Sequence, residues 1–181
     1  TYDQDLLGKM GYQAHQEAVN SLVRLLPGRK ARILDLGCGT GLVGAELHRL
    51  GYRDLHGSDL STPMMAEAEK LGIYQSLQQH DMTEPLETTL PFDGAISVGV
   101  LAFGPVTAFH FPGLLRALKP GAPLLMTVNG KGWREYPWEK ELAEASARAG
   151  FVIEEIHTIN YLVNEGIDGR LLTIRQHPLK K

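Results

Sequence analysis

The chain has 181 residues, of which 43% are hydrophobic, and its formal net charge is −3. A chain of this length and composition buries one substantial core, so the sequence predicts a single domain over residues 1–181. Without a basic surplus it lacks the field that attracts nucleic acid, and no apolar run approaches the roughly 20 residues that cross a bilayer. We therefore expect neither nucleic acid nor a membrane as a partner.

Cysteine and histidine usage limits the chemistry further. Cys38 is the only cysteine, which excludes an internal disulfide and favours a reducing, cytoplasmic compartment. The seven histidines are scattered and form no zinc-like pattern with that one thiol. We therefore expect a site without a metal ion.

Apolar runs of strand length alternate with stretches of helical periodicity, a pattern typical of an α/β sheet covered by helices. The sequence predicts helices at residues 10–26, 42–50, 64–71, 106–118 and 138–149. It predicts strands at residues 31–36, 54–59, 74–80, 92–99, 124–128, 151–163 and 170–177. Residues 164–169 suit a turn, so the last two strands form an antiparallel hairpin. The predicted fold is an open, mostly parallel seven-stranded sheet with helices on both faces.

A glycine-rich turn follows the first predicted strand. The run Ile33-Leu-Asp-Leu-Gly-Cys-Gly-Thr-Gly41 ends a buried strand with an acid and enters a helix through alternating glycines. Glycines let a ligand lie against the main chain, and the carboxyl edge of the strands is where open α/β sheets hold ligands. The carboxylate of Asp35 complements a cationic cofactor such as S-adenosylmethionine, whereas it would repel a pyrophosphate.

Two further acids follow the next two predicted strands. Asp59 comes twenty positions after Gly39, where an acid can accept hydrogen bonds from ribose hydroxyls. Asp81 could accept a hydrogen bond from the exocyclic amine of adenine, although an aspartate there could equally cap the following loop. Met64 and Met82 offer polarizable packing to the adenine ring. Together these residues indicate a site for an adenosine-bearing cation.

The chain resembles the class I S-adenosylmethionine-dependent methyltransferases, which have a Rossmann-like fold. The matching pieces are Asp35-Leu-Gly-Cys-Gly-Thr-Gly41, Gly57-Ser-Asp-Leu-Ser61 with Met64, His80-Asp-Met82, Phe92-Asp93 and Leu118-Lys-Pro-Gly121. Within this class, further pieces are similar to the subfamily of the methyltransferase-like protein encoded in the Williams–Beuren syndrome region. These are Tyr2-Asp-Gln-Asp5, Gly39-Thr-Gly-Leu-Val43 with Ala45-Glu-Leu47, Leu55-His-Gly57 and Tyr74-Gln75.

The resemblance implies roles for individual residues. The residues expected to bind the cofactor are Asp35, Gly37, Cys38, Gly39, Gly41, Asp59, Leu60, Met64, Asp81, Met82, Val98 and Gly99. The backbone of residues 37–39 would contact the methionine part, Asp59 the ribose, and Asp81 with Met82 the adenine. The end of the fourth strand at residues 98–99 would lie beneath the sulfonium. The segment 1–27 would cover the cofactor and substrate side, with Tyr2 closing over the cofactor.

The chain departs from some relatives in ways that bear on the acceptor. Ser97-Val-Gly-Val100 stands where others carry an Asn- or Asp-Pro-Pro-aromatic run, which disfavours amide nitrogen and adenine N6 as acceptors. Ala102 stands where many small-molecule relatives have a histidine, so no catalytic residue is assigned. We expect methyl transfer to an O, N or S nucleophile of a small molecule, by a monomer or a homodimer.

An NAD(P)-dependent oxidoreductase is the main alternative. Gly39, Gly41 and Gly44 satisfy the dinucleotide fingerprint, and Tyr136 and Lys140 have the spacing of short-chain dehydrogenases. The negative charge of Asp35 and the intervening proline weigh against this reading. A third possibility is a noncatalytic partner protein that binds S-adenosylmethionine.

Some side chains allow two readings. The Cys38 thiol is expected to be a small turn residue rather than a nucleophile. An acceptor pocket could draw on aromatic and histidine side chains, each of which could instead be packed or on the surface. These candidates are Tyr12, His15, His110, Trp133 and Tyr136.

Overall fold

The computed structural model of the chain describes residues 5–101 and 104–177 and shows one seven-stranded sheet. The strands are β1 (Ile33–Leu36), β2 (Leu55–Asp59), β3 (Ser76–Gln79), β4 (Gly94–Leu101), β5 (Leu124–Asn129), β6 (Phe151–Leu162) and β7 (Ile167–Gln176). Their order is β3-β2-β1-β4-β5-β7-β6. The strands β3, β2, β1, β4 and β5 are parallel, and β7 lies antiparallel to both β5 and β6. The predicted fold class is confirmed.

Helices cover both faces of the sheet. They are α1 (Ala14–Leu25), α2 (Leu42–Arg49), α3 (Thr62–Glu69), α4 (Phe111–Leu115), α5 (Gly130–Glu135) and α6 (Trp138–Ala149). Successive residues of β1 enter different cores: Ile33 belongs to the core that contains Leu22 of α1, and Leu34 belongs to the core that contains Phe111. All four residues of β1 are therefore buried, as expected for a central parallel strand. No helix of the described residues is long and apolar enough to pass through a bilayer.

The first helix begins four residues later than predicted, and α5 was not predicted. Gly11 has a φ of +64°, and Tyr12 forms an isolated bridge with Leu162, so α1 begins only at Ala14. A π-helical turn, Asp5–Lys9, comes before it. The sequence did not predict α5, because its two glycines disfavour a helix; the Asn129 side chain caps it by accepting from the Lys131 amide at 2.9 Å.

The predicted helix over residues 106–118 is shorter in the structure and only partly α-helical. A 3₁₀ turn, Ala108–His110, leads into α4, which ends at Leu115. The proline at position 112 fits the first turn of α4, and Gly113 lies against Pro85, so the segment packs closely but does not continue as a helix.

The terminal hairpin has a tighter turn than residues 164–169. A 3₁₀ turn, Val163–Glu165, and Gly166 with a φ of +64° connect the strands. Gly169 lies inside β7 and not in the turn. A Cβ there would lie 2.5 Å from the Tyr161 ring, so this position of the strand needs a glycine. The glycine signal thus reports close packing of two strands.

Candidate functional site

The strand order reverses between β1 and β4, and a crevice opens there at the carboxyl ends of the strands. It holds a cavity of about 380 Å³. The described lining residues are Leu6, Tyr12, His15, Gly37, Cys38, Gly39, Thr40, Leu42, Val43, Asp59, Met64, Val98, Gly99, Val100, Asn129, Tyr161 and Leu162. We call this cavity the crevice pocket.

Glycines shape the turn at the floor of the crevice pocket. Gly37, Gly39 and Gly41 all have positive φ, at 70°, 54° and 94°. A Cβ on Gly37 would overlap the side chain of Val100, so only glycine fits at this approach of β1 to β4.

The amides of the turn are engaged by the end of β2. Gly37 and Cys38 donate to the Ser58 carbonyl at 2.7 and 2.9 Å, and Gly39 donates to Asp59 Oδ2 at 2.8 Å. The other oxygen of Asp59 accepts from the Ser61 amide at 2.8 Å. A phosphate-binding turn aims such amides at its ligand, and these three are aimed into the protein.

Asp35 lies behind the turn in the protein interior. Its side chain is 2% exposed, Oδ2 accepts from the Tyr74 hydroxyl at 2.6 Å, and Oδ1 has no partner among the described residues. Burial raises the pKa of Asp35 to about 7, opposed by the hydrogen bond from Tyr74 and by the Gly44 backbone, with a further rise from the Asp59 charge. Asp35 is absent from the described lining, so direct contact with a cofactor stays a prediction.

The thiol of Cys38 is held in its neutral form. Burial raises its pKa, and the charges of Asp35 and Asp59 raise it further. A protonated, buried thiol is a weak nucleophile, which agrees with the expected role of a small turn residue.

The structure divides the twelve expected cofactor residues. Those that line the crevice pocket are Gly37, Cys38, Gly39, Asp59, Met64, Val98 and Gly99. Those outside its described lining are Asp35, Gly41, Leu60, Asp81 and Met82. Their contacts with a cofactor remain predictions.

The residues on the adenine side of the predicted site are spread out. Asp81 is exposed and its Oδ1 accepts from the amide and hydroxyl of Thr83, at 2.9 and 2.7 Å, which is the loop-capping arrangement. Met82 is buried, with its sulfur 3.7 Å from where a Cβ on Gly37 would lie. Leu60 is 60% exposed.

The fourth strand bulges where it borders the pocket. Its pairing with β5 shifts between Ser97 and Leu101, and Gly99 has a φ of +82° and donates to Thr127 Oγ1 at 3.1 Å. The strand continues past residue 99 to Leu101, beyond its predicted end. A Cβ on Gly99 would lie 3.0 Å from the Tyr12 hydroxyl, so the glycine admits that side chain.

Two of the five aromatic and histidine candidates line the crevice pocket, namely Tyr12 and His15. Their rings stack with centroids 5.4 Å apart. The others pack elsewhere: His110 caps its 3₁₀ turn, Trp133 packs on the core, and Tyr136 donates to Glu141. Tyr2 and Ala102 lie outside the described residues.

Sequence reasoning gave no role to several residues of the site. Tyr74 holds Asp35, and Tyr161 reaches the pocket from the far end of β6. Tyr161 lies two residues after the buried Ile159, so strand alternation marks it as inward-facing but not as part of a site.

A second cavity, of about 400 Å³, lies against Arg32, His56, Ser76 and Phe92. None of the expected cofactor residues lines it, and it is not at the carboxyl ends of β1 and β4. No group of three or more His, Cys, Asp or Glu side chains in the described part of the chain could hold a metal ion.

We expect Gly44→Ala to destabilise the fold by about 1 to 3 kcal/mol, the usual effect of overpacking. A Cβ at position 44 would overlap the Tyr74 hydroxyl and displace it from Asp35. Urea denaturation measures the change. Gly28→Ala is the control, because a Cβ there meets nothing within 4 Å. Unchanged stability of Gly44→Ala would contradict this packing.

The carboxyl of Asp35 is expected to titrate near pH 7, which ¹³C NMR of the side chain measures. Its ordinary pKa is 3.8, so the unfolded chain loses the proton first as pH rises. This group therefore lowers the free energy of unfolding as pH rises from about 4 to 7. Asp35→Asn should remove that part of the pH dependence in urea denaturation, and titration near pH 4 would refute the assignment.

Comparison with known proteins gives consistent likenesses. Residues 33–121 match the family model of a methyltransferase domain. The chain is 40% identical over 135 residues to human methyltransferase-like protein 27, in an alignment that covers 71% of this chain and 53% of that protein. It is 32% identical over 120 residues to trans-aconitate 2-methyltransferase of Pseudomonas paraeruginosa, covering 66% of this chain and 42% of that protein.

The fold is also similar to that of solved methyltransferase structures. An S-adenosylmethionine-dependent methyltransferase from Mesorhizobium loti aligns with a TM-score of 0.69 and 21% identity, covering 90% of this chain and 98% of that one. The chain spans about half the length of the curated relatives named above. The resemblance predicted from the sequence is confirmed, and the chain belongs to the S-adenosylmethionine-dependent methyltransferase family.

Proposed function

We propose that the chain transfers a methyl group from S-adenosylmethionine to an O, N or S nucleophile of a small molecule. The observation that carries this proposal is the crevice pocket itself, where a glycine turn meets Asp59 and the bulged end of β4. Named relatives support a small-molecule acceptor, since trans-aconitate is one. A cytoplasmic location and a monomeric or homodimeric state remain part of the proposal.

The residues present fit the family's cofactor. Asp35 keeps one buried carboxylate oxygen without a described partner, and its charged form would be favoured by a nearby cation. Gly37 lets Val100 pack against the turn that lines the crevice pocket, since a Cβ there would overlap the Val100 side chain. S-adenosylmethionine, when bound, supplies an electrophilic methyl group on a positively charged sulfur.

Each part of the cofactor has a proposed partner. The backbone of residues 37–39 would hold the methionine part, Asp59 the ribose, and Met64 and Met82 the adenine. Asp81 would accept from the adenine amine, with Gly41 and Leu60 on that side. Val98 and Gly99 would border the sulfonium.

The chemical task of the protein is placement. The acceptor's lone pair forms the new bond to the methyl carbon as the carbon–sulfur bond breaks, and the electron pair stays on sulfur. The acceptor, methyl carbon and sulfur must be collinear, and fixing that geometry is worth about 7 to 11 kcal/mol. The buried Tyr161 side chain on β6 would help to exclude competing water.

The oxidoreductase alternative has less support. Three amides of the turn bond to the end of β2, and Gly44 accommodates Tyr74. Tyr136 donates to Glu141, and the Lys140 ammonium lies 4.0 Å from Glu144, so neither forms a dehydrogenase pair.

Asp59→Ala is expected to weaken S-adenosylhomocysteine binding by about 1 to 3 kcal/mol, or about 5- to 150-fold in Kd, because buried ribose hydroxyls lose their acceptor. Isothermal titration calorimetry measures this change. Asp59 also holds Gly39 and Ser61, so Asp59→Asn, which retains one acceptor oxygen, is the matched control and should lose less. Unaltered binding would remove Asp59 from the site, and tighter binding of NADH would favour the alternative.

Transfer from labelled S-adenosylmethionine to a small-molecule extract should give labelled products, detected by mass spectrometry. Excess chelator should leave the rate unchanged, since we propose no metal in the step. A noncatalytic partner protein would bind S-adenosylhomocysteine yet label nothing. Loss of transfer in chelator would instead refute metal independence.

A further inference from the structure

Three ring side chains form one wall of the crevice pocket. The Tyr12 ring stacks on His15 and meets Tyr161 edge-on, with centroids 5.4 and 5.5 Å apart. A Cβ on Gly99 would lie 3.0 Å from the Tyr12 hydroxyl and 3.8 Å from the Tyr161 hydroxyl. Both hydroxyls therefore converge on the bulge of β4, and we call these three side chains the aromatic wall.

The crevice pocket has no basic side chain in the lining that the structure describes. Asp59 is its charged residue, and the described lining includes neither lysine nor arginine. Outside the described residues, 1–4 and 102–103 contain no lysine or arginine in the sequence, whereas 178–181 include Lys180 and Lys181.

Asn129 lines the crevice pocket, but the basic side chains that come soon after it in the chain do not. Arg134 and Arg170 both pair with Asp168, each at 2.8 Å. Lys131 is exposed and is absent from the described lining.

His15 does not replace the missing cation. It is 6% exposed, and its Nδ1 has no partner among the described residues. Burial lowers the pKa of His15, against the Glu46 carboxylate, which raises it. The imidazole that faces Tyr12 is therefore neutral at pH 7, and Asp59 in the same pocket adds only negative charge.

This distribution of charge limits the acceptor. Carboxylates and phosphates are held in proteins by arginine or lysine, and a buried anion without such a partner is strongly disfavoured. Hydroxyls and an imidazole instead suit a neutral group that can donate or accept a hydrogen bond. The single sulfonium charge would offset at most one anionic group, and Asp59 adds negative charge to the same pocket.

We propose that the acceptor is an uncharged hydroxyl or amine compound seated against Tyr12, His15 and Tyr161 beside Gly99, and that carboxylate and phosphate compounds are excluded. This proposal rests on the proposed methyl transfer. It departs from the relative named for trans-aconitate, a compound with three carboxylates.

An uncharged acceptor also has a proton to lose. As its oxygen or nitrogen bonds to the methyl carbon and the electron pair leaves with sulfur, the acceptor becomes positively charged unless that proton departs. The neutral imidazole of His15 lies in the same lining and has a ring nitrogen that can take this proton.

Matched probes test the acceptor class by NMR. Benzyl alcohol and benzylamine are titrated against benzoate and phenyl phosphate into the full chain saturated with S-adenosylhomocysteine, following the ring resonances of Tyr12, His15 and Tyr161. Benzylamine is measured at a pH high enough to populate its neutral form. We expect the neutral probes to bind at least about tenfold more tightly than the anions.

Two variants of one lining residue, which differ in charge, give a second test. Leu6 lines the same pocket, and its carbonyl accepts from the Tyr12 amide at 3.1 Å. Leu6→Lys should strengthen benzoate binding about tenfold relative to Leu6→Gln, which has no charge, and leave benzyl alcohol unchanged.

Each outcome decides the question. Equal or tighter binding of benzoate to the wild-type chain overturns the proposal, as does the absence of shifts at the aromatic wall with every probe. Calorimetry with S-adenosylhomocysteine is the separate check: failure to bind it would refute the proposed function, whereas normal binding with preferred anions would refute only the acceptor class.

Discussion

The hydrogen bonds between the glycine turn and the end of β2 are the constraint on which the site depends. Ser58 and Asp59 accept three successive amides of the turn, so β1 and β2 end at a fixed relation to each other. A Cβ on Gly37 would overlap Val100 and push β4 away. Two features of the turn thus fix the width of the crevice between β1 and β4. Gly37 has no side chain that would push β4 away, and the amides of residues 37–39 are bonded to the end of β2.

The same bonds set the electrostatic character of the crevice pocket. With three N–H groups aimed into the protein, the turn offers less positive potential than a phosphate-binding turn does. Two carboxylates lie close by, near enough that Asp59 contributes to the raised pKa of Asp35. A site arranged in this way gains from a cation and loses with an anion, which separates S-adenosylmethionine from dinucleotides on charge rather than on fold.

Much of the fold followed from local signals in the sequence. The periodicity of residues 138–149 matches α6 to the residue, and the seven strands lie close to where they were expected. Other features depend on contacts distant in sequence, which periodicity does not report. Gly11 and Tyr12 shorten α1 by bonding near Leu162, and the helix beginning at Gly130 forms despite poor helix propensity.

The site shows the same division. A strand-end acid and a glycine turn are visible in sequence, and in the structure the Gly39 amide donates to Asp59. The burial of Asp35 was not visible, because it depends on Tyr74, 39 residues away, and on the absence of a side chain at Gly44. The acceptor side joins the start of α1, the bulge of β4 and the end of β6, three segments that meet only in the folded chain. Since β6 and α1 bring tyrosines and a neutral histidine rather than arginines, the charge of the acceptor is decided by the same long-range contacts that close the pocket.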